Sequence, residues 1–278
     1  MIIQLLHRFI RTRYSRMGFT SEQYEIDSCR LHSFQKKGRD GSTPIVFLHG
    51  LGTSSSTWIK VLSALRRKDT IACLDLPGHG FSKIKNGDAY FTLKQMDHAL
   101  DQFINRFTAL PVILVGHSLG GWLAARYAVD HPDRVRRLIL INHAGVQYEG
   151  VEQQKEAFTI NSVEDVRKLL RQMWYHYPWY YQPFTSSIYR SLKKKQITQF
   201  ISSITEVDFL NPSLSSLTMP LDIFWGTEDR LISMISLEVM KQHVPQLKAY
   251  FIARCGHVPQ LESPRALAAL FSGILPSP

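Results

Sequence analysis

A chain of 278 residues, 44% hydrophobic and 20% charged, is long enough to bury a large core and has the balance of a folded α/β domain with room for an insertion. Its net charge of +10 raises nucleic acid as a partner, but no zinc-finger, RRM or helix-turn-helix pattern accompanies it, so none is expected. Three scattered cysteines, Cys29, Cys73 and Cys255, exclude a disulfide framework and a zinc site, and fit a reducing, cytoplasmic setting.

In chain order, the first predicted element is a basic amphipathic helix within residues 1–21. Ile3, Leu6, Ile10, Tyr14 and Met17 form one stripe, while Arg8, Arg11, Arg13 and Arg16 stand before Glu22 without an acid among them. Such a helix either lies on an anionic membrane surface, through residues 1–19, or packs against the body of the protein. No run approaches the eighteen or so apolar residues of a spanning helix, and the apolar residues lack the flanks of a secretory signal, so neither is expected.

A hairpin over Tyr24 to Phe34 follows, then the strand Pro44-Ile45-Val46-Phe47-Leu48, which ends in His49-Gly50-Leu51-Gly52. Ser55 to Leu65 reads as a helix. Thr70-Ile71-Ala72-Cys73-Leu74 is a strand closed by Asp75-Leu76-Pro77-Gly78-His79-Gly80, and a helix over Thr92 to Phe107 comes next. Strand and helix then meet abruptly in VILVGHSLGGWLAARYA, residues 112–128. A turn this tight requires Gly116 and Gly120 to lack side chains and holds Ser118 in strained backbone above the sheet. That is a nucleophile elbow; the alternative is a serine that only caps the helix.

After the strand Arg137 to Ile141 the alternation breaks. Residues 146–212 contain helical stretches, Val163 to Tyr175 and Ser186 to Thr205, but no strand, as expected of a helical cap laid over the strand ends. The core, begun over 22–145, resumes over 213–278 with the strand Leu221 to Trp225, a helix near Ser233 to His243, the strand Lys248 to Ile252 and a last helix from Pro264. Alternating strands and helices predict a mostly parallel sheet with helices on both faces and ligands at the strands' carboxyl ends.

A serine nucleophile needs a base, and the base needs an acid to hold its tautomer. Among eleven histidines, His257 follows the last strand in Arg254-Cys255-Gly256-His257-Val258-Pro259, at the required edge. Asp229 follows the preceding strand through Gly226-Thr227-Glu228, although an Asp there also suits an Asx turn. The strand before the cap ends in Asn142-His143, with no acid. Two amides are expected to receive an oxyanion: Leu119 N–H, opening the helix after Ser118, and Leu51 N–H of the glycine loop.

Gly116-x-Ser118-x-Gly120, His49-Gly50-x-Gly52, Asp75-x-Pro77-Gly78-x-Gly80-x-Ser82, Gly226-x-x-Asp229 and Gly256-His257, in this order, resemble the α/β-hydrolase superfamily from Pro44 to the C-terminus, apart from the cap. Gly-His-Ser-Leu-Gly-Gly and the cap are similar to its capped esterases and monoacylglycerol-lipase-like enzymes, and Asn142-His143-Ala144-Gly145 points the same way. The resemblance implies an α/β-hydrolase fold, a Ser118–His257–Asp229 triad and hydrolysis of carboxylic esters through an acyl-enzyme, with no metal or organic cofactor. Ser118 stands where the dehalogenase and epoxide-hydrolase branches carry aspartate. The remaining alternatives are a carbon–carbon bond hydrolase of ring-cleavage diketones, acyl transfer to another alcohol, and a silent ligand-binding relative. The run Met173 to Tyr181 is rich in aromatic rings. Trp174, Tyr177 and Trp179 are candidate walls for a medium- to long-chain acyl group, the other reading being that they fill the cap's own core.

Overall fold

Short apolar runs bounded by turn residues become the strands of one sheet. The computed structural model describes residues 2–26, 29–65, 67–85 and 90–276. The strands are β1 (Thr20–Ile26), β2 (Cys29–Lys36), β3 (Ile45–Leu48), β4 (Ile71–Asp75), β5 (Lys83–Ile84), β6 (Val112–His117), β7 (Val135–Ile141), β8 (Leu221–Gly226) and β9 (Lys248–Ile252). Their order is β1-β2-β4-β3-β6-β7-β8-β9, with β5 on β2. Strands β1, β2 and β5 pair antiparallel; β4, β3, β6, β7, β8 and β9 are parallel to one another. Because both faces of a parallel sheet are covered, β3, β4, β6 and β8 are buried at every residue.

The helices are α1 (Ile2–Arg16), α2 (Ile59–Leu65), α3 (Leu93–Phe107), α4 (Leu119–Asp130), α5 (Val151–Ala157), α6 (Val163–Met173), α7 (Thr185–Leu192), α8 (Lys195–Ser203), α9 (Ile235–His243), α10 (Pro259–Glu262) and α11 (Pro264–Ile274). Two hydrophobic clusters lie on opposite faces of the sheet. One includes Leu100, Leu123 and Leu138; the other includes Trp58, Val115 and Phe271.

The insertion between β7 and β8 is helical, as the broken rhythm implies, but more finely divided. The stretch expected as one helix over 186–205 divides because Lys194 leaves helical space, with ψ at 134°. The short α5, capped by Gly150 without a side-chain bond, carries too weak a start signal to be read from sequence.

Helix α1 divides its predicted stripe between two tasks. Ile10 and Tyr14 are buried in the protein's own core, where Tyr14 stacks on Phe34 at 3.9 Å and donates to the Ser55 carbonyl at 2.7 Å. Leu6 of the same stripe is exposed, as are Leu5 and Phe9, which lie outside it. Ile3 lies outside the residues whose side chains are described.

Candidate active site

The join between β6 and α4 has the geometry its glycines require. A side chain at Gly116 would meet the Gly120 carbonyl oxygen at 2.2 Å, and one at Gly120 would meet the His49 carbonyl oxygen at 2.5 Å. Contacts that short leave room for hydrogen only. Compression forces Ser118 to φ 53°, ψ −119°, a strained conformation for a non-glycine residue. Its side chain makes no capping bond to α4, which argues against a capping serine. Only 8% exposed, Ser118 opens into a narrow cleft with Leu51, Leu119, Trp122, Phe200, Phe209 and Leu231 among its walls.

His257 and Asp229 meet across the carboxyl ends of β8 and β9. His257 Nδ1–H donates to Asp229 Oδ2 at 2.8 Å, and both side chains are buried. Three further donors converge on the same carboxylate. Asn142 Nδ2 reaches Oδ2 at 2.7 Å, and the Leu231 and Ile232 amides reach Oδ1 at 2.9 and 3.0 Å. The Asx turn that competed as a reading of Asp229 is therefore present together with the bond to His257. Asn142 also accepts from Gly226 N–H at 3.1 Å and sits at φ 41°, a conformation asparagine tolerates better than most residues. Sequence reasoning met Asn142 only as a missing acid, whereas its amide holds the acid from the neighbouring strand.

The His257 loop is fixed from three sides. Its own N–H donates to the Met173 carbonyl at 2.7 Å, and its carbonyl accepts from His117 Nε2–H at 2.7 Å. Glu262 accepts from the Gly256 and Tyr175 amides, each at 2.8 Å. Among the described residues, no hydrogen bond joins Ser118 Oγ to His257. Such contacts are commonly long before substrate binds.

The candidate oxyanion donors stand on either side of the elbow. Leu119 N–H opens α4, whose dipole favours negative charge there. Leu51 belongs to a loop that approaches so closely that a side chain at Gly50 would meet His117 Nδ1 at 2.9 Å. His49 pins this loop: Leu76 N–H donates to Nε2 at 3.0 Å, which leaves Nδ1 to donate to the Gly50 carbonyl at 2.8 Å. The sequence places His49 beside the glycines, but the Leu76 contact that fixes its tautomer comes from the loop that follows the neighbouring β4.

Trp174, Tyr177 and Trp179 are placed differently from the Ser118 cleft. Trp174 is buried against Tyr181 at 5.3 Å between ring centres, Tyr177 stands near the same tyrosine at 6.4 Å, and Trp179 is 77% exposed. None of the three is among the residues that line the cleft.

Buried histidines dominate the electrostatics. Burial, and then neighbouring His79, pushes His49 down to about 4; burial alone pushes His143 down to about 4 against the pull of its bond to the Ala144 carbonyl. His117 also falls well below the usual range, through burial and then His257. Unfolding would return these rings to about 6.5. Groups depressed on folding contribute stability that is fully present above about pH 6.5 and is lost as the pH falls through 4. His49 and His143 each account for on the order of 3 kcal/mol of that loss. Asp97, pushed up to about 6 by burial despite Arg126, runs the other way. Urea unfolding between pH 7 and 4.5 should therefore show stability falling steeply, and His143→Leu should flatten the slope by about one proton. Equal slopes in the two proteins would contradict this.

A family model described as the alpha/beta hydrolase fold matches residues 43–264. The monoacylglycerol lipase ABHD6 of Mus musculus is 23% identical over 264 residues, 87% of this chain and 78% of that protein. The 2-hydroxy-6-oxo-2,4-heptadienoate hydrolase of Pseudomonas putida is 26% identical over 245 residues, 84% of this chain and 88% of the other. Among solved structures, a membrane phospholipase A described as a bacterial virulence factor superposes with a TM-score of 0.83 at 25% identity, covering 98% and 91% of the two chains.

Proposed function

Because the chain belongs to the α/β-hydrolase fold family, we propose that it is a serine hydrolase of lipophilic carboxylic esters. The observation that carries this reading is the strained Ser118, opening into an apolar cleft beside the Asp229–His257 pair. In the proposed reaction His257 Nε2 takes the Ser118 proton as Oγ attacks the acyl carbon. The resulting oxyanion is received by the Leu51 and Leu119 amides. His257 then gives its proton to the leaving alcohol, and a water it activates releases the acid from the acyl-enzyme. Asp229 holds Nδ1–H in place throughout.

The cleft's walls support an acyl chain as the occupant. Trp122, Val151, Phe158, Phe200, Ile201 and Phe209 line the cleft with Ser118, and among the described residues Lys155 is the only charged one in the lining. Each methylene moved from water into such walls contributes about 0.8 kcal/mol, so kcat/KM should rise about fourfold per carbon until the cleft is full. A series of p-nitrophenyl esters from acetate to palmitate measures this. A maximum at acetate with a steady decline would refute a lipophilic substrate. Similarity to the Pseudomonas putida hydrolase raises carbon–carbon bond cleavage as a second reading. A lining with one charged residue offers little for an anionic diketone, so the ester reading is preferred.

No described helix is long and apolar enough to cross a membrane. Peripheral attachment through α1 is proposed instead. Leu5, Leu6 and Phe9 are exposed beside Arg8 and Arg11, an arrangement suited to the boundary between anionic headgroups and acyl chains. Removing residues 1–19 would also uncover the Tyr14 packing, so a double substitution, Leu5→Ser with Phe9→Ser, is the cleaner test. The native chain should co-float with phosphatidylglycerol vesicles, and the double substitution should abolish that. Equal flotation of both proteins would end the proposal.

A further inference from the structure

Helix α1 precedes the stretch that matches the family, residues 43–264, yet Tyr14 on its buried side reaches the end of the loop that carries the Leu51 N–H. That loop runs from His49, after β3, to Ser54, which caps a short 3₁₀ turn over Ser55–Trp58. Its middle is one tight turn. Thr53 N–H and Thr53 Oγ1 both donate to the Gly50 carbonyl, at 3.3 and 2.8 Å, and Gly52 stands at φ 70°. Among the described residues no group accepts a hydrogen bond from Leu51 N–H, so no partner within the turn aims it. Its direction depends on how the turn is held, at His49 on one side and at Ser55 on the other.

The Ser55 end is gripped through its backbone from two sides. Ser55 N–H donates to Asp75 Oδ1 at 2.7 Å, and the Ser55 carbonyl accepts from the Tyr14 hydroxyl at 2.7 Å. Tyr14 and Asp75 are both fully buried. Neither is free to drift. Tyr14 is stacked on Phe34, and Asp75 Oδ2 accepts from His32 Nδ1–H at 2.9 Å and Phe81 N–H at 3.0 Å. His32, equally buried, accepts at Nε2 from the Ser21 hydroxyl at 2.8 Å. Gly80 leaves the carboxylate its space, since a side chain there would meet Asp75 Oδ1 at 2.4 Å. Ser82 Oγ donates to the Asp75 carbonyl at 2.6 Å and accepts from His32 N–H at 2.8 Å. The motif from Asp75 to Ser82 is thus built around one backbone unit at the loop's end. A phenylalanine at position 14 would cover the core equally well, so what the buried hydroxyl adds is its bond to that unit.

Resting on the ester-hydrolase reading, we propose that Tyr14 and Asp75 are positioning residues for the oxyanion. Their clamp on Ser55 sets the direction of the Leu51 N–H, and α1 is part of the support of the reaction site. Because the turn from Gly50 to Thr53 is closed by its own bonds, it moves as a unit, and a small shift at Ser55 reappears at Leu51. The oxyanion forms only as Ser118 Oγ attacks. An aimed donor therefore stabilises the transition state and adds little to the binding of the ester itself.

Tyr14→Phe keeps the ring on Phe34 and removes only the hydroxyl. It should lower kcat for p-nitrophenyl acetate and p-nitrophenyl decanoate by the same factor, between about 10 and 100, with each KM within about twofold of native. A decyl trifluoromethyl ketone, whose adduct with Ser118 places its oxyanion at the same amides, should bind more weakly by a similar factor. Asp75→Asn tests the other side of the clamp. Its amide cannot accept from Ser55 on one side and from His32 and Phe81 on the other, so kcat should fall again with KM near native. Circular dichroism and a melting curve accompany each variant, and if only one folds, that one decides. Native kcat and native inhibitor affinity in a folded variant would overturn the proposal and leave the ester-hydrolase reading standing. So would a loss confined to KM and growing with chain length, which marks a damaged cleft, or unfolding of both variants, which marks a structural role alone. Failure of the native protein to hydrolyse either ester would overturn both readings.

Discussion

Ser118→Ala is expected to lower kcat for ester hydrolysis by about 10⁶, leaving the modest rate that oxyanion donors and substrate binding sustain without a nucleophile. The expectation follows from where the side chain points. Ser118 Oγ makes no capping bond to α4, and the backbone strain at φ 53° comes from the glycine contacts on either side. Alanine keeps those contacts and loses only the hydroxyl, so the thermal midpoint should stay within a few degrees of the native one. Hydrolysis of p-nitrophenyl decanoate and a melting curve on the same preparation check both halves. A variant that stays folded and retains more than about a hundredth of native kcat would remove Ser118 from the mechanism.

Asp229→Asn should cost about 10⁴ in kcat. Here the reason lies in the donors that surround the carboxylate. His257 Nδ1–H and the Asn142 amide both point at Oδ2, and two backbone N–H groups point at Oδ1. An asparagine amide places its own N–H₂ against one of those pairs whichever way it is turned. Facing the Leu231 and Ile232 amides it leaves buried donors opposed. Facing His257 it favours the tautomer with the proton on Nε2, which cannot accept from Ser118. Near-normal turnover in this variant would sink the assignment of Asp229 as the acid. Loss of turnover accompanied by unfolding would be separated from this by circular dichroism.

The elements nearest the chemistry were the most legible from sequence. The Gly116–Gly120 spacing, the glycine loop after β3 and the order of strands each follow from local patterns, because a tight turn or a buried parallel strand restricts which residues fit. The positions of His257 and Asp229 also followed, from strand counting. What the sequence withheld is contact between segments distant in the chain. Asn142 looks like a vacancy until its amide is seen on Asp229, 87 residues away. His49 and His117 are histidines beside glycines in a one-dimensional reading, and bonds to Leu76 and His257 give them their work. The aromatic run at 174–181 misleads for the same reason. Its composition suits a substrate wall, while the fold packs Trp174 against Tyr181 and lines the cleft with residues spread from Leu51 to Ile232. Helix α1 shows a third kind of ambiguity, since one stripe at helical spacing served both the core and the solvent face.

The bond from His257 N–H to the Met173 carbonyl, with Glu262 bridging Gly256 and Tyr175, bears on how such proteins can be recombined. The stretch after α6 is part of the scaffold of His257, the proposed base, although Met173 lies 84 positions earlier in the chain. An engineer grafting the helical insertion of a relative onto this core would therefore be replacing part of the base's support along with the substrate wall. Grafts whose junctions fall after Tyr175, so that only α7, α8 and the segments beside them are exchanged, should give active chimeras. Those that exchange the whole of residues 146–212 should fold with a loosened histidine. The part of the cleft wall that Phe200, Ile201 and Phe209 supply is thus exchangeable separately from the support of His257, while Val151 and Phe158 stay with that support, and the seam runs through the insertion itself.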